Sequence, residues 1–254
     1  MNSLKTEEKL HKNTASHSET SGVASKLEII DWQQVSTDLD EYGYSTMPQM
    51  LTAAQCGAMT ALYEKDIYRS RIVMERYNFG RGEYKYFSYP LPDLVAELRT
   101  ALYPKLVPIA NRWHEAMKMT SRFPPKHEDF VTRCHEAGQT RPTPLMLRYK
   151  EGDYCCLHQD LYGEHVFPLQ VVFLLSDPVK DFTGGELMLT ELDTRQATRA
   201  ELISLKQGDA VVFAVNSRPV RGGRGFHRAN MRHGVSRLHQ GHRNTLGIIF
   251  HDAA

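Results

Sequence analysis

From Leu145 to Phe250 the sequence breaks into eight short β-prone runs with Gly, Pro and Asp between them. The runs are Leu145–Tyr149, Asp153–Asp160, Leu169–Leu175, Glu186–Thr190, Glu201–Leu205, Ala210–Val215, His233–Arg237 and Asn244–Phe250. Eight short strands in one stretch suggest two facing antiparallel sheets. The expected fold is α+β, a double-stranded β-helix (jelly-roll) core with supporting N-terminal helices. A chain of 254 residues can bury one full core of this kind, so a single domain is expected.

The N-terminal half supplies the supports. Residues 1–27 are polar, rich in Ser, Thr and Lys, and without aromatics, so they are expected to form a disordered tail. Residues 28–140 read as a helical and hairpin part of the same domain, and residues 141–254 as the jelly-roll core. Trp32, Val35 and Leu39 recur at helical spacing before Gly43, and a brief strand follows at Tyr44–Met47. Thr52-Ala-Ala-Gln55 is a capping-box pattern. Two β-prone runs flanking Asn78–Gly82 predict a hairpin in which Arg69, Arg71, Arg76, Arg81 and Lys85 interleave with Tyr77, Phe79, Tyr84, Tyr86 and Phe87. That mixture fits either a base-stacking, phosphate-tracking surface or a hairpin with its aromatic face on the core. Two helices broken near Pro104, and a third over His127–Ala137, complete this part.

The second and last strands carry the chemistry. Alternation places Tyr154, Cys156, His158 and Asp160 on one face, so an imidazole and a carboxylate meet, with the soft Cys156 thiol beside them. These are two-thirds of a facial 2-His-1-carboxylate set, which holds Fe(II) with open positions. Among 12 histidines an H-x-D triplet arises easily by chance, and His127-Glu128-Asp129 is a second one. It opens a helix, where positions i and i+2 do not share a face, and is expected to be a solvated helix start. The third ligand is expected at His233, beside Gly234, while His227, His239, His242 and His251 read as surface or loop histidines. Ten residues beyond His233, Arg243 shares a strand face with Thr245 and Gly247. A guanidinium with a nearby hydroxyl can clamp a carboxylate, which suits a dicarboxylate cosubstrate. Taken alone, Arg243 fits an ordinary strand-edge salt bridge better.

H-x-D, a distal His and an Arg ten residues on resemble the Fe(II)- and 2-oxoglutarate-dependent oxygenases. Phe182-Thr183-Gly184-Gly185-Glu186-Leu187 and Gly208-Asp209-Ala210-Val211-Val212-Phe213 are similar to turns of that family. Arg148-Tyr149-Lys150-Glu151-Gly152 running into Leu157-His158-Gln159-Asp160 resembles the AlkB-type nucleic-acid dealkylases. The chain as a whole resembles a bacterial family described as oxygenases for oxidative demethylation of damaged DNA. The resemblance implies Fe(II) on His158, Asp160 and His233, with 2-oxoglutarate and O₂ as cosubstrates. It further implies that Arg243, Tyr149 and Thr245 hold 2-oxoglutarate. Two positions depart from the AlkB pattern: Leu147 stands for the Asn before R-Y, and Ile249 near the place of a second Arg.

For the substrate, Arg218, Arg221, Arg224, Arg228, Arg232 and Arg237 fall within residues 218–237 without an acid between them. Such a basic loop around the distal ligand would attract phosphates; Arg224, Arg228, Arg81 and Tyr84 are the expected substrate contacts. The alternatives are a mobile basic loop, a prolyl or other peptidyl hydroxylase, and a non-catalytic metal- or nucleic-acid-binding barrel. Four cysteines without C-x-x-C spacing fit a reduced, cytoplasmic setting, and no apolar stretch approaches membrane-spanning length.

Overall fold

The computed structural model describes residues 21–192, 198–223 and 225–254. Its helices are α1 (Ser21–Ile29), α2 (Trp32–Tyr42), α3 (Ala53–Ala61), α4 (Asp93–Ala116) and α5 (His127–Glu136). The first seven strands are β1 (Tyr44–Met47), β2 (Tyr68–Val73), β3 (Gly80–Arg81), β4 (Glu83–Phe87), β5 (Leu145–Lys150), β6 (Tyr154–His158) and β7 (Leu169–Leu174). The rest are β8 (Phe182–Gly184), β9 (Leu187–Leu192), β10 (Thr198–Ile203), β11 (Ala210–Ala214), β12 (Ser217–Gly222), β13 (Gly225–Val235) and β14 (Leu238–Ile248). One sheet runs β1-β11-β7-β14-β5-β4-β2 with β8 on β14, and the other runs β10-β9-β13-β6-β3 with β12 on β13. These strands pair antiparallel throughout, giving the expected mixture of helices and antiparallel sheets. No described helix is long and apolar enough to cross a membrane.

Local signals built the supports much as read. Asp31 caps α2 through Gln34 N, and Gly43 ends it at φ 82°. Thr52 and Gln55 form the capping box of α3. β2 and β4 form the expected hairpin. Strands β7 and β11 are buried on both faces because α4 covers the side of the large sheet away from the second sheet; Leu102, Leu106, Val171, Val212 and Phe213 share one core.

Four expectations are corrected. The break near Pro104 does not occur: α4 continues through Pro104 and Pro108. Each interior proline costs about 3 kcal/mol, but burying a large apolar side chain returns about 1.5–3 kcal/mol, and Leu98, Leu102, Tyr103, Leu106, Ile109 and Trp113 are all buried along this helix. The tail expected over residues 1–27 is helical from Ser21, with Val23 and Leu27 in the α4 core; residues 1–20 lie outside the described residues. Two apolar side chains four apart were diluted there by polar neighbours. His127 is not solvated: it is buried, with Nε2 2.8 Å from Phe250 O. The basic stretch is no loop either, since Ser217–Gly222 pairs with Gly225–Asn230 as a hairpin.

Candidate functional site

A cavity of about 320 Å³ lies between the two sheets. Its floor follows from register. Arg243 pairs with Tyr149, Thr245 with Leu147 and Gly247 with Leu145, so strand alternation turns all six toward the same space. The opposite wall comes from β6 and β13, where His233 pairs directly with His158.

His158, Asp160 and His233 each offer one ligand atom, all within 4.8 Å of one another. Asp160 Oδ1 lies 3.5 Å from His158 Nε2, and its Oδ2 lies 3.2 Å from His233 Nε2. His158 Nδ1 donates to Cys156 O at 2.9 Å, which leaves the Nε2 lone pair facing the cluster. Tyr162 donates its hydroxyl to Asp160 Oδ1 at 2.7 Å, and the Gln170 amide lies 3.3 Å from His233 Nε2. The buried Nδ1 of His233 has no partner among the described residues. Burial disfavours the charged ring of His158, but the adjacent Asp160 carboxylate outweighs it and raises the imidazole to about 11. Burial alone would raise Asp160; His233 and His158 hold it well below the usual carboxylate range. Burial lowers His233, with the Asp160 carboxylate opposing it in part. Two imidazoles and one carboxylate converging this closely fit a divalent transition metal and leave coordination positions facing the cavity.

At the other end of the cavity, Arg243 is 3% exposed and its guanidinium makes no hydrogen bond or ion pair with a described residue. Its Cζ lies 5.8 Å from the centroid of the Tyr149 ring. Burial lowers its pKa, and Tyr149 and the Glu186 carboxylate oppose that only in part. Tyr149 is also buried, its hydroxyl has no hydrogen-bond partner among the described residues, and burial holds the phenol protonated. Gly185, at φ 67°, leaves room here: a Cβ would lie 2.5 Å from Leu238 Cδ1 and 3.1 Å from Arg243 Cδ. Leu145, Leu147, Val172, Val235 and Ile249 keep the remaining walls apolar, and Phe79 and Tyr84 also line the cavity.

The cysteine expected beside the cluster is the wrong one. Cys155, 4% exposed, lines the cavity with Sγ 3.7 Å from His158 Nδ1, whereas Cys156 is exposed. The cause is a bulge in β6: two steps along β13 from His233 to Val235 match three along β6 from His158 to Cys155, which reverses the alternation. A Cβ on Gly234 at this bulge would lie 2.7 Å from Cys155 O, so the expected close packing beside His233 is present.

The expected substrate residues separate. Tyr84 lines the cavity, but Arg81 lies over a different concavity and pairs with Glu75 at 3.9 Å. Arg218 is buried, ion-paired with Glu191 and bonded to Asp40 O at 2.7 Å, so it serves packing rather than a rim. Arg232 is exposed on the face of β13 opposite to His233. Arg228 is exposed with its Nη2 3.2 Å from Met117 O, and Arg224 lies outside the described residues. Of the other histidines, His227 is half-buried within β13, His239 and His242 are exposed within β14 rather than in a turn, and His251 is fully buried, accepting at Nδ1 from Phe167 N at 3.2 Å. Tyr162, Gln170 and Cys155 had no role in the sequence reading. Only Tyr162, two residues beyond Asp160, had a local signal.

Two antiparallel sheets enclose a His-Asp-His cluster fit for a divalent metal and a buried arginine fit for a carboxylate, and the family match makes the chain an oxygenase. The chain belongs to the family described as "Oxygenase, catalysing oxidative methylation of damaged DNA", whose model matches residues 82–253. Uncharacterized proteins from two strains of Mycobacterium tuberculosis are each 48% identical to it over 168 residues, 66% of this chain and 72% of theirs. Among solved structures, a Pseudomonas putida prolyl-4-hydroxylase matches with a TM-score of 0.52 at 14% identity, covering 88% of this chain and 99% of that one. A Trichoplax adhaerens prolyl hydroxylase, in complex with a hypoxia inducible factor peptide fragment, matches at 0.53 and 13% identity, covering 92% and 93%. A 2OG-Fe(II) oxygenase family oxidoreductase from Burkholderia pseudomallei matches at 0.51 and 13% identity, covering 89% and 94%. At these identities the likeness concerns the fold alone.

Proposed function

We propose that this oxygenase dealkylates damaged nucleic-acid bases. The observation that carries the reading is the family match, which spans the H-x-D segment, the distal His and Arg243 together. In this reading residues 141–254 form a jelly-roll core, residues 28–140 support it, and the four free cysteines suit the reducing cytoplasm.

His158, Asp160 and His233 would hold the iron. Bound there, Fe(II) with 2-oxoglutarate and O₂ supplies a two-electron oxidation of a C–H bond with release of succinate and CO₂. The chain's own groups prepare for it. The Cys156 carbonyl fixes the His158 tautomer, and Tyr162 orients the Asp160 carboxylate. Arg243, with Thr245 and the protonated Tyr149 hydroxyl, would receive the distal carboxylate of 2-oxoglutarate, and the apolar wall around it strengthens that pairing by excluding water. Phe79 and Tyr84 offer aromatic faces to a base entering the cavity. Oxygen insertion at an N-methyl group would give a hemiaminal that loses formaldehyde.

Purified protein with Fe(II), 2-oxoglutarate and methylated single-stranded DNA should release formaldehyde and succinate in equal amounts. A peptide that gains one oxygen atom while methylated DNA and RNA yield no formaldehyde would replace this reading with a peptidyl hydroxylase.

A further inference from the structure

A second concavity, of about 170 Å³, lies between the end of α4, α5, the segment after Asp160 and the start of β12, and it collects Arg122, Arg133 and Arg228. Backbone carbonyls hold all three. Arg122 Nη1 donates to Met119 O at 2.6 Å and Ser121 O at 2.9 Å, Arg133 Nη1 to Arg122 O at 2.6 Å, and Arg228 Nη2 to Met117 O at 3.2 Å. Met117 follows directly on α4, where C-terminal carbonyls attract cations. None of the three arginines forms an ion pair with a described residue, and Glu164 is the one carboxylate in the lining. Each guanidinium spends one nitrogen on its carbonyl contacts and keeps donors on the other two. Three like charges gathered around a single carboxylate still repel one another, and a bound anion would relieve that.

The position matters as much as the charge. The segment from Gln159 to Pro168 separates this concavity from the catalytic one: Asp160 and Tyr162 face the catalytic side, while Glu164, His165 and Val166 face the arginines. Gln159 Nε2 ties the segment to Asn216 O at 3.1 Å and Met231 O at 2.8 Å, and Asn216 lines the arginine concavity. The space suits a phosphodiester group rather than a whole nucleoside. We infer that Arg122, Arg133 and Arg228 bind a backbone phosphate of the nucleic-acid strand whose neighbouring base enters the catalytic cavity. The inference rests on the nucleic-acid reading above.

The test is fluorescence anisotropy with a labelled single-stranded DNA across a salt series, comparing wild type with R122Q/R133Q/R228Q and R122K/R133K/R228K. Thermal unfolding of each variant verifies the fold. Loss of the one neutralised phosphate should flatten the slope of log K against log salt by about 0.7 and weaken binding about 5-fold near 0.1 M salt. The lysine variant should keep most of the slope. Wild-type binding with an unchanged slope in the glutamine variant overturns this site and leaves the nucleic-acid reading standing. Failure of wild type to bind DNA or RNA at any salt overturns both. Stabilisation of wild type alone by inorganic phosphate, with equal DNA slopes, would assign the arginines to a free phosphate and overturn the strand contact.

Discussion

Replacing Arg243 with Met should make the cosubstrate-free protein more stable while destroying its affinity for 2-oxoglutarate. The guanidinium is 3% exposed, makes no ion pair or hydrogen bond with a described residue and feels Glu186 only through space, and its nearest aromatic ring centroid is 5.8 Å away. A buried ion costs several kcal/mol when unpaired, and water in the cavity recovers part of this. Met fills a similar volume without a charge, so a gain of about 1–3 kcal/mol is expected. For a chain of this size that raises Tm by roughly 3–10 °C. Removing one partner of a buried charged pair should cost about 2–5 kcal/mol in 2-oxoglutarate binding, about 30-fold to several thousand-fold in Kd. Differential scanning calorimetry without cosubstrate and anaerobic titration calorimetry with Fe(II) read the two effects separately. A fall in Tm, or a 2-oxoglutarate Kd within a few-fold of wild type, would refute the reasoning.

Other outcomes follow from neighbouring groups. Tyr162→Phe removes the hydroxyl that orients Asp160 and should weaken iron binding about 10–100-fold with an unchanged far-ultraviolet spectrum; unchanged affinity in a metal competition assay would mean Asp160 needs no such partner. Burial lowers both His127 and His251 to about 4. The unfolded chain therefore binds more protons between pH 6.5 and 4, and their contribution to stability is full above that window and lost as pH falls through it, roughly 3 kcal/mol each at most. Urea unfolding of His127→Gln/His251→Gln should show a shallower loss than wild type over this range, and parallel curves would count against it. Iodoacetamide should label exposed Cys156 quickly and Cys155 slowly, with 2-oxoglutarate and Mn(II) protecting Cys155 further. Faster labelling of Cys155 would contradict the bulge in β6.

Period-two alternation worked wherever the strands are regular. Tyr149, Arg243 and Thr245 reach one cavity because β5 and β14 pair without a shift, so their shared face was legible from residue numbers alone. It failed at Cys156 because one unpaired residue in β6 reverses the faces, and a bulge shows only once the partner strand is known. The basic stretch misled for a related reason: arginines counted together in sequence point to opposite faces of a hairpin, and Arg218 turns inward to Glu191. Proline at 104 looked like a boundary because local cost is visible in sequence, while the apolar burial that outweighs it is tertiary. Arg122 and Arg133 belong to no motif, and only the end of α4 brings them to Arg228.

The central claim is that one cavity holds one Fe(II) on His158, Asp160 and His233 and one 2-oxoglutarate beside it. Anaerobic equilibrium dialysis, with iron and 2-oxoglutarate measured on the same samples, tests this directly. Wild type should bind one of each per chain, His158→Ala should lose the iron, and Arg243→Met should keep the iron while losing the 2-oxoglutarate. Iron retained at full stoichiometry in His158→Ala would place the metal elsewhere and contradict the account.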